Sequence, residues 1–339
     1  MITTNSAMQK QSRIFVAGHR GLVGSALVRT LRDSGYNNLL LRTRDELDLR
    51  NQAAVAAFFE TQRPEYVFLA AARVGGIVAN NTRPAEFIDE NLIIQHNILH
   101  SSHQSGVKRL LFLGSSCIYP KYCAQPMKEE YLLTGPLEST NRPYAIAKIV
   151  GIETCWAYNR QYGTKFMCAM PTNLYGPGDN YDLTGSHVIP AMIRKMHEAK
   201  ERGWPAVELW GTGTPRREFL YSQDLANACI FLMELNDSRM SPILAAEHRP
   251  PMVNVGCGND LTIRELAQLV AQTVGFEGQV VFDPSKPDGT PRKLLDISVV
   301  TQLGWSPSTD LRHGLHLAYR DFLKNYADTR DEAPVGSPA

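Results

Sequence analysis

Short apolar runs alternate with longer segments of helical periodicity through the first half of this chain. Because the runs carry few polar residues, they are typical of parallel strands that are covered by helices on both faces of a sheet. The predicted strands are RIFVA (13–17), NLLLR (38–42), YVFLAAA (66–72), KRLLFLGS (108–115) and KFMCAM (165–170). The predicted helices begin near Val23 and cover 51–62, 85–105 and 142–162. This order predicts an α/β fold of the Rossmann type with a doubly wound parallel sheet.

The second half of the chain departs from this regular alternation. A loop rich in Gly, Pro, Asn and Asp follows Pro171, and the next helix is expected to have Ser186 as its N-cap. Two later segments, 223–235 and 252–256, have the pattern of a helix and a strand that return to the sheet. We therefore predict a sheet domain, a smaller C-terminal α/β lobe and a disordered tail. These cover 13–178 with 223–256, then 179–222 with 257–326, and finally 327–339.

Composition narrows the class of protein. The chain of 339 residues is 43% hydrophobic, enough for a large core, and its 35 basic and 34 acidic residues give no reason to expect nucleic acid or an acidic membrane as a partner. The first eleven residues lack the features of a signal peptide, and no stretch reaches the roughly 18 apolar residues of a membrane span. The six cysteines show neither disulfide nor metal-ligand spacing. We expect a cytoplasmic protein with free thiols and no bound metal.

A glycine-rich turn, GHRGLVG (18–24), directly follows the first predicted strand and opens a helix. Glycines in this context let a pyrophosphate approach the backbone amides at the helix N-terminus. The spacing G-x-x-G-x-x-G alone is a weak signal, and a tight packing turn is the alternative. Its position at the start of a βαβ series favours a dinucleotide-binding domain.

The second predicted strand ends in LRTR (41–44), at the place where an NAD-selective protein usually carries an acidic residue for the ribose hydroxyls. A guanidinium group at this place suits a 2′-phosphate, because it is permanently charged and donates in a fork. The sequence therefore favours NADP over NAD, and Arg44 is a stronger candidate than Arg42 for the phosphate ligand. Solvated arginines are the alternative, and the neighbouring Asp45 keeps NAD open.

Tyr144 and Lys148 lie four residues apart in RPYAIAK, so a helix places them on one face. An ammonium there favours the phenolate, which lets the phenol exchange protons near neutral pH. Ser115 and Cys117 follow the fourth predicted strand, and in an extended segment their side chains point the same way. The carboxyl ends of parallel strands meet at one edge of the sheet, so these residues are expected to converge with the glycine turn. Together they predict a nicotinamide-dependent active site.

These motifs together resemble the extended short-chain dehydrogenase/reductase family: the glycine turn after the first strand, a serine after a later strand, and Y-x-x-x-K on the next helix. The resemblance covers residues 13–326. Within this family, several loops resemble the branch that converts GDP-4-keto-6-deoxy-D-mannose to GDP-L-fucose. They are GSSCIYP (114–120), PTNLYGP (171–177), GSHVIPAMI (185–193), LWGTGTPRREFL (209–220) and KPDGTPRKLLD (286–296). The resemblance implies an NADPH-dependent 3,5-epimerase and 4-reductase.

The resemblance also implies roles by position. Tyr144 would give a proton to the sugar carbonyl oxygen, Ser115 would hydrogen-bond this oxygen, and Lys148 would hold the nicotinamide ribose and lower the pKa of the tyrosine. A 4-keto group acidifies the hydrogens on both neighbouring carbons, and inversion needs one group on each face of the sugar. Cys117 is implied as the base and His187 as the acid, and the sequence leaves that order open. A helix N-terminus disfavours imidazolium, which would keep His187 neutral.

Further contacts are implied for the cofactor and the substrate. For the cofactor, they involve Gly18, His19, Arg20, Gly21, Leu22, Val23, Gly24, Arg44, Asp48, Leu49, Leu113, Gly114, Ser115, Tyr144, Lys148, Pro171, Thr172, Asn173, Leu174 and His187. For a GDP-sugar substrate, they involve Asn173, Lys195, Trp210, Arg217 and Lys293. Arg217 is the strongest candidate for the diphosphate. Lys195 stands where the family pattern carries arginine, and an ammonium cannot make the bidentate contact of a guanidinium.

The resemblance finally implies a homodimer, in which the helices over 85–105 and 142–162 pair into a two-fold bundle. Two other functions stay open at this point. An NAD-dependent 4-epimerase of the same superfamily would need neither Cys117 nor His187. A non-catalytic dinucleotide sensor would tolerate the loss of Tyr144 or Lys148, so their presence argues against it.

Replacing Arg44 by alanine tests the predicted selectivity for NADP. A charge-assisted contact with a phosphate contributes about 1.5 to 3 kcal/mol, so Arg44→Ala is expected to weaken NADPH binding by about ten- to a hundred-fold. NADH binding should change little, because NADH lacks the 2′-phosphate. Fluorescence titration with both cofactors measures the two affinities, and Arg32→Ala, which removes an arginine elsewhere in the domain, is the control. Equal losses for the two cofactors would show that Arg44 does not select the phosphate.

Overall fold

Among the residues that the structure describes, 7–330 without 184, 245, 247, 248 and 287, a six-stranded parallel sheet is the largest element. The structure is a computed structural model. Its strands are β1 (Ile14–Ala17), β2 (Leu39–Leu40), β3 (Tyr66–Leu69), β4 (Arg109–Leu113), β5 (Phe166–Pro171), β6 (Asn173–Tyr175), β7 (Ala206–Trp210), β8 (Arg216–Tyr221), β9 (Met252–Val255), β10 (Asp260–Thr262), β11 (Gln279–Asp283) and β12 (Arg292–Lys293). Its helices are α1 (Leu22–Asp33), α2 (Gln52–Gln62), α3 (Ile77–Thr82), α4 (Pro84–Gln104), α5 (Arg142–Tyr162), α6 (Val188–Glu201), α7 (Ser222–Glu234), α8 (Asp237–Leu244), α9 (Ile263–Val274), α10 (Ser298–Gln302) and α11 (Leu311–Arg330).

The large sheet has the strand order β2-β1-β3-β4-β5-β9, and neighbouring strands in this order are parallel. The chain leaves β1 towards one edge to form β2 and then crosses back to form β3 on the other side of β1. In an open α/β sheet, ligands bind in the crevice where the strand order reverses, beyond the carboxyl ends of the strands. Here that crevice lies between the ends of β1 and β3. The predicted fold class is confirmed.

The strands alternate between two apolar cores, one on each face of the sheet. In β1, Ile14 and Val16 belong to one core, and Phe15 and Ala17 belong to the other. The same alternation holds in β3 and β4, because successive side chains of a strand point to opposite faces. Burial on both faces explains why the sequence shows apolar runs and no polar alternation.

The smaller lobe is built on a mixed sheet centred on β8. This strand pairs in parallel with β6 and β12 and antiparallel with β10, while β7 and β11 form a separate parallel pair. Helices α6, α9 and α11 share one apolar core with these strands, in which Ile193, Leu266 and Leu315 are fully buried. Helix α10 packs against β9, and its Val300 belongs to a core of the large sheet. The division into two domains stays a prediction.

Most predicted elements lie within two residues of the observed ones, although the second strand is shorter than predicted. The prediction that Ser186 caps α6 is wrong, because His187 is the N-cap and no side chain caps the helix. A turn closed by the bond from the Ser186 N–H to the Asp182 carbonyl (2.8 Å) places Ser186 one residue too early. The predicted disordered tail over 327–339 overlaps α11, which runs to Arg330, and 331–339 lie outside the described residues.

In the described part of the chain, no helix combines the length and the apolar character that crossing a membrane requires.

A buried carboxylate joins the lobe to the sheet domain. Glu218 on β8 is fully buried, and it accepts hydrogen bonds from the amides of Cys257 and Gly258 after β9, both at 2.7 Å. It also accepts one from the amide of Leu295 after β12, at 3.0 Å. Three backbone donors from two separate segments are therefore satisfied by one side chain.

The backbone of Glu218 also binds a third segment, the one that follows β5. Its carbonyl oxygen accepts hydrogen bonds from Thr172 Oγ1 (3.1 Å) and Asn173 Nδ2 (2.9 Å), which follow β5. The carboxylate also needs a glycine opposite it, because a β-carbon at Gly256 would lie 2.3 Å from Glu218 Oε1. The ends of β5, β8, β9 and β12 are thus held at one point.

Removal of this carboxylate is expected to destabilise the fold. Glu218→Ala leaves three buried amides without an acceptor, and we expect a loss of about 3 kcal/mol or more in the free energy of unfolding. Denaturant unfolding followed by circular dichroism measures it. The control is Glu208→Ala, which removes an exposed carboxylate from β7 and should change the stability little. Equal stabilities of the two variants would refute the structural role of Glu218.

Candidate active site

Two glycines of the turn after β1, Gly18 and Gly24, have no room for a larger side chain. Gly18 has φ +83°, and a β-carbon there would lie 2.7 Å from the backbone of Ala71, which follows β3. At Gly24 a β-carbon would lie 2.0 Å from the carbonyl oxygen of Gly18. Helix α1 therefore begins directly on the turn, with Gly21 as N-cap and no side chain bound to its first amides. Uncapped amides at a helix N-terminus are donors for a phosphate, so the turn fits a dinucleotide.

Arginines gather at the end of β2. Arg42 is partly buried and donates to the carbonyl oxygen of the residue before it, at 2.8 Å. Arg44 is exposed, which leaves its guanidinium accessible to a ligand. The pKa of Glu46 is lowered by its hydrogen bonds with Thr43 and then by the charges of Arg42 and Arg20. Arg20 of the glycine turn therefore lies on the same cationic surface, which suits the 2′-phosphate of NADP.

The carboxylate of Asp48 is paired with Arg50 of the same chain. Arg50 donates to both of its oxygens, at 2.7 Å from Nη2 and 3.0 Å from Nε, and this pairing lowers the pKa of Asp48 to about 2. The carbonyl oxygen of Leu49 accepts a hydrogen bond from Asn97 (2.9 Å). An adenine contact at Asp48 and Leu49 stays a prediction, and it would use their amides or the Leu49 side chain.

The segment after β4 is a turn, so the prediction that Ser115 and Cys117 lie in an extended segment is wrong. Ser116–Ile118 forms a 3-10 turn with Ser115 as its N-cap. The Cys117 N–H donates to Ser115 Oγ at 3.4 Å, which closes the turn and is the physical reason for the difference. The turn still places the thiol beside the serine hydroxyl, so the predicted juxtaposition of the two groups is found.

Cys117 is a buried thiol with positive charges nearby. Its side chain is 6% exposed, and burial raises its pKa. The charge of Lys293, the hydrogen bond with Ser115 and the charge of Lys148 lower this pKa, in that order. The group is therefore protonated at rest, with two ammonium groups that stabilise its thiolate once a proton is removed.

Tyr144 is a phenol that stays protonated at neutral pH. Burial and the Cys117 charge raise its pKa, and the hydrogen bond with Ser115 opposes them. A lowering of this pKa by Lys148 stays a prediction. The Lys148 ammonium donates to the carbonyl oxygen of Leu113 (2.7 Å) and lies 5.8 Å from the centroid of the Tyr144 ring. A retained proton is what a general acid needs.

Lys148 is a buried cation whose pKa burial lowers to about 8. Its ammonium lies 4.8 Å from the centroid of the Phe112 ring, in addition to its bond with Leu113. An ammonium has three donors, so two of them are left for ligand oxygens such as ribose hydroxyls. This position at the end of β4 agrees with the predicted role in cofactor binding.

His187 is the N-cap of α6. Its side chain is exposed to solvent, yet the surrounding protein lowers the imidazole pKa from its ordinary value of 6.5 by burial. A group that is both accessible and poorly solvated is expected inside a concave site. The neutral imidazole that results can exchange a proton near neutral pH.

Two cations lie side by side on adjacent strands of the lobe. Arg217 of β8 and Lys293 of β12 are paired in register. Burial lowers the pKa of Arg217 to about 10, and the charges of Asp288 and Glu138 oppose this. Burial also lowers the pKa of Lys293, and the Arg217 charge adds to the effect. Poorly hydrated cations at this spacing suit a diphosphate.

The remaining substrate candidates lie on the rim of the lobe. Trp210 is 54% exposed at the end of β7, where its indole can stack on a base. Asp288 accepts from the Thr212 amide (2.7 Å) and so connects the loop after Trp210 to the loop before Lys293. Lys195 on α6 donates to the carbonyl oxygen of Glu208 (3.2 Å) in β7, two residues before Trp210.

The other predicted contacts lie at neighbouring strand ends. Leu113 is the last residue of β4, and Gly114 follows it. Pro171 is the last residue of β5, which pairs with β4, and 172–174 come directly after it. The Asn173 amide nitrogen is held by Glu218 (2.9 Å), which leaves its amide oxygen for a ligand. Sequence reasoning missed Glu138 and Asp288, the carboxylates beside Arg217. Both lie far from Arg217 in the sequence, so no local pattern could have found them.

The family follows from comparison with known proteins. Residues 14–256 match the model of the NAD dependent epimerase/dehydratase family. The chain belongs to this family. It is 56% identical to GDP-L-fucose synthase 1 of Arabidopsis thaliana over 321 residues, covering 95% of this chain and 96% of that protein. It is also 56% identical to GDP-L-fucose synthase of Escherichia coli (strain K12), covering 94% of this chain and 98% of that protein.

A similar solved structure supports the fold over most of the chain. The GDP-L-fucose synthetase of Naegleria fowleri bound to NADP is 27% identical, with a TM-score of 0.84. The match covers 95% of this chain and 97% of that one. The two chains therefore share both the sheet domain and the lobe.

Loss of the Tyr144 hydroxyl is expected to slow a reduction without affecting cofactor binding. Tyr144→Phe removes the proton donor, so turnover should fall by about a hundredfold or more. NADPH affinity should stay within about twofold, because Lys148 and the glycine turn are intact. Steady-state kinetics and fluorescence titration measure the two. Tyr162→Phe, at an exposed tyrosine of the same helix, is the control. Near-normal turnover of Tyr144→Phe would mean that the proton comes from another group.

Proposed function

We infer that this protein converts GDP-4-keto-6-deoxy-D-mannose to GDP-L-fucose by 3,5-epimerisation and 4-keto reduction with NADPH. Relatives that carry the name GDP-L-fucose synthase are 56% identical over nearly the whole chain. The observation that carries the inference is the buried Cys117 thiol beside Ser115 and within reach of the charges of Lys148 and Lys293. A simple ketoreductase needs the serine, tyrosine and lysine, and it has no use for a buried thiol flanked by ammonium groups.

Epimerisation begins when a base removes a proton from a carbon next to the ketone. Cys117 takes this proton, its S–H bond forms as the C–H bond breaks, and the electron pair passes to the ketone oxygen as an enolate. To act as a base, the thiol must first give its own proton to solvent water, and the charges of Lys293 and Lys148 favour that loss. His187 takes up a proton from solvent and donates it to the opposite face of the carbon, while the enolate electrons re-form the ketone. Cys117 then releases its proton to solvent and His187 is protonated again before the next inversion. The two carbons beside the ketone are inverted by the same pair.

Reduction uses the groups at the end of β4 and on α5. When bound, NADPH supplies the hydride for carbon 4 of the sugar. Tyr144 holds the proton that the carbonyl oxygen needs, and its raised pKa keeps that proton in place until the oxygen becomes basic. The Ser115 hydroxyl is positioned to hydrogen-bond the same oxygen, and Lys148 has donors left for the cofactor ribose.

The lobe binds the nucleotide part of the substrate in this proposal. Arg217 and Lys293 hold the diphosphate, since their mutual repulsion is relieved by an anion. Trp210 stacks on the guanine, and Lys195 adds a charge near it. Asn173 contributes its free amide oxygen.

The proposal includes a homodimer and a cytoplasmic location. Helices α4 and α5 pack on each other and leave an outer face with exposed apolar groups, Val150 at 41% and Tyr162 at 51%. A second copy of the chain would cover this face with its own α4 and α5. The free cysteines favour a reducing compartment.

The direct test of the function is a reaction with the purified protein. Incubation with GDP-4-keto-6-deoxymannose and NADPH should consume the absorbance of NADPH and yield GDP-L-fucose, identified by NMR. Oxidation of NADPH with a product that keeps the configuration of the starting sugar would point to a C4 reductase. No oxidation with this sugar would refute the proposal.

Variants of Cys117 and His187 separate epimerisation from reduction. In Cys117→Ser, the base is lost, so incorporation of solvent deuterium beside the carbonyl is expected to fall by about a hundredfold, while reduction of the unepimerised ketone persists. In His187→Asn, deuterium should still enter, but inversion should fail because no proton returns to the opposite face. Mass spectrometry and NMR of the sugar after incubation in heavy water measure both.

The control for these variants is Cys123→Ser, which changes a half-buried thiol on the same side of the molecule. It should leave exchange and inversion close to their normal rates. Full deuterium incorporation and normal GDP-L-fucose from the Cys117→Ser enzyme would falsify the base role of this residue.

A further inference from the structure

The loop after β3, residues 73–76, carries no group of the proposed mechanism, yet it is firmly held; we call it the strap. At Arg73 the backbone is bound on both sides by one side chain. Its N–H donates to Asn91 Oδ1, and its carbonyl oxygen accepts from Asn91 Nδ2, both at 3.0 Å. The Arg73 guanidinium also pairs with Glu86 and with Glu90, the latter at 2.7 Å. One end of the strap is thereby fixed to α4.

Asn80 on α3 holds the other end. Its Nδ2 donates to the carbonyl oxygens of Gly75 (2.8 Å) and Gly76 (3.0 Å). The side chain is 6% exposed, so little water competes for these bonds. An aspartate at this position would place acceptor oxygens against two carbonyl oxygens, because a carboxylate has no N–H to donate.

The strap contacts the residues just before His187. The N–H of Gly76 donates to the carbonyl oxygen of Gly185, at 3.3 Å. A β-carbon at Gly76 would lie 3.0 Å from the carbonyl oxygen of Ser186, so glycine allows this approach. Since no side chain caps α6, this backbone contact supports the start of the helix together with the turn that Asp182 closes, and His187 is the N-cap there.

The same strap contacts the surroundings of Tyr144. A β-carbon at Gly75 would lie 3.1 Å from Cζ of Phe87, so the glycine packs directly on this ring. Phe87 in turn makes an edge-to-face contact with Tyr144, with ring centroids 6.3 Å apart. The strap is therefore in contact with the supports of both His187 and Tyr144.

We propose that the strap is a positioning device, which fixes the imidazole of His187 relative to the phenol of Tyr144 so that one bound sugar can meet both. The inference rests on the proposed function, in which His187 returns a proton to the carbon and Tyr144 gives one to the oxygen. If the imidazole is displaced, the enolate regains its proton from Cys117 on the original face. Exchange with solvent then continues, but the configuration is kept.

The test is Asn80→Asp, with Asn81→Asp as the matched control at the next, exposed residue of α3. In the Asn80→Asp enzyme, deuterium exchange beside the carbonyl is expected to stay within about threefold, while inversion falls by about tenfold or more. NADPH affinity should stay within about twofold, since the glycine turn is not altered. The control should match the unmodified enzyme in all three measurements.

A second readout does not depend on turnover. The rate at which diethyl pyrocarbonate modifies His187 is measured against pH by peptide mass spectrometry, with the exposed His96 as internal reference. Release of the strap should move the midpoint for His187 up towards the ordinary 6.5, because the ring loses part of its surroundings. Gly76→Ala, whose methyl group presses on Ser186, should have the same effect with the Asn80 side chain intact.

The outcomes separate the strap from the function. A shifted His187 midpoint in the two variants, together with an unmodified protein that makes no GDP-L-fucose, would support the strap and refute the proposed function. Unchanged midpoints, with an unchanged ratio of exchange to inversion in both variants, would overturn the strap. A parallel fall of NADPH binding, exchange and inversion would also overturn it, because this would mean a general loss of structure.

Discussion

The buried carboxylate of Glu218 is the constraint on which the geometry of the site depends. The carboxylate oxygens accept hydrogen bonds from backbone amides in the segments after β9 and β12. The backbone carbonyl oxygen of Glu218 accepts hydrogen bonds from side chains that follow β5. Burial raises the pKa of this carboxyl, and the hydrogen bonds from the amides oppose the rise. Because three donors face it, loss of its charge or its oxygens would leave buried amides unpaired. Arg217 precedes Glu218 on the same strand, so the proposed diphosphate site is linked through Glu218 to the ends of β5 and β9.

The charges around Cys117 show a second constraint, which is the cost of keeping several cations out of water. Burial lowers the pKa of Lys148 to about 8 and that of Arg217 to about 10. Without the charges of Lys293 and Lys148, burial would raise the pKa of the Cys117 thiol with less opposition. The same desolvation therefore makes the thiol a weak acid and the neighbouring cations strong partners for its thiolate. Favourable interactions with ligand oxygens and with the thiolate would offset the cost of burying these cations.

Much of the fold could be predicted from the sequence, because its strands are short apolar runs and its helices are periodic. The long helices α4 and α5 and the strands of the large sheet follow from patterns within a few residues. The start of α6 could not be predicted, since a local preference of serine for the N-cap competed with a turn closed by Asp182. The 3-10 turn at Ser116–Ile118 was missed for the same reason, as one hydrogen bond from Cys117 to Ser115 decides it.

The site was predictable to the extent that its motifs are local. The glycine turn and the pair of Tyr144 and Lys148 each occupy a single segment of the sequence. In contrast, the direction of the Lys148 ammonium depends on the carbonyl oxygen of Leu113, which lies 35 residues earlier. The strap depends on Asn91, 18 residues beyond Arg73, and on Gly185, which lies in the lobe. Such contacts depend on the path of the chain between helices and strands, so the periodic pattern of apolar residues in the sequence does not predict them.

The arrangement also bears on how two reactions share one pocket. Epimerisation requires a thiol that loses its proton, and reduction requires a phenol that keeps its proton. Both groups are buried, and both form a hydrogen bond with Ser115. What distinguishes them is charge, since Lys293 and Lys148 oppose the rise in pKa at Cys117, whereas the charge of Cys117 adds to the rise at Tyr144. In the proposed mechanism, a thiolate at Cys117 therefore helps the phenol of Tyr144 to keep its proton, so that a base and an acid can coexist around one sugar.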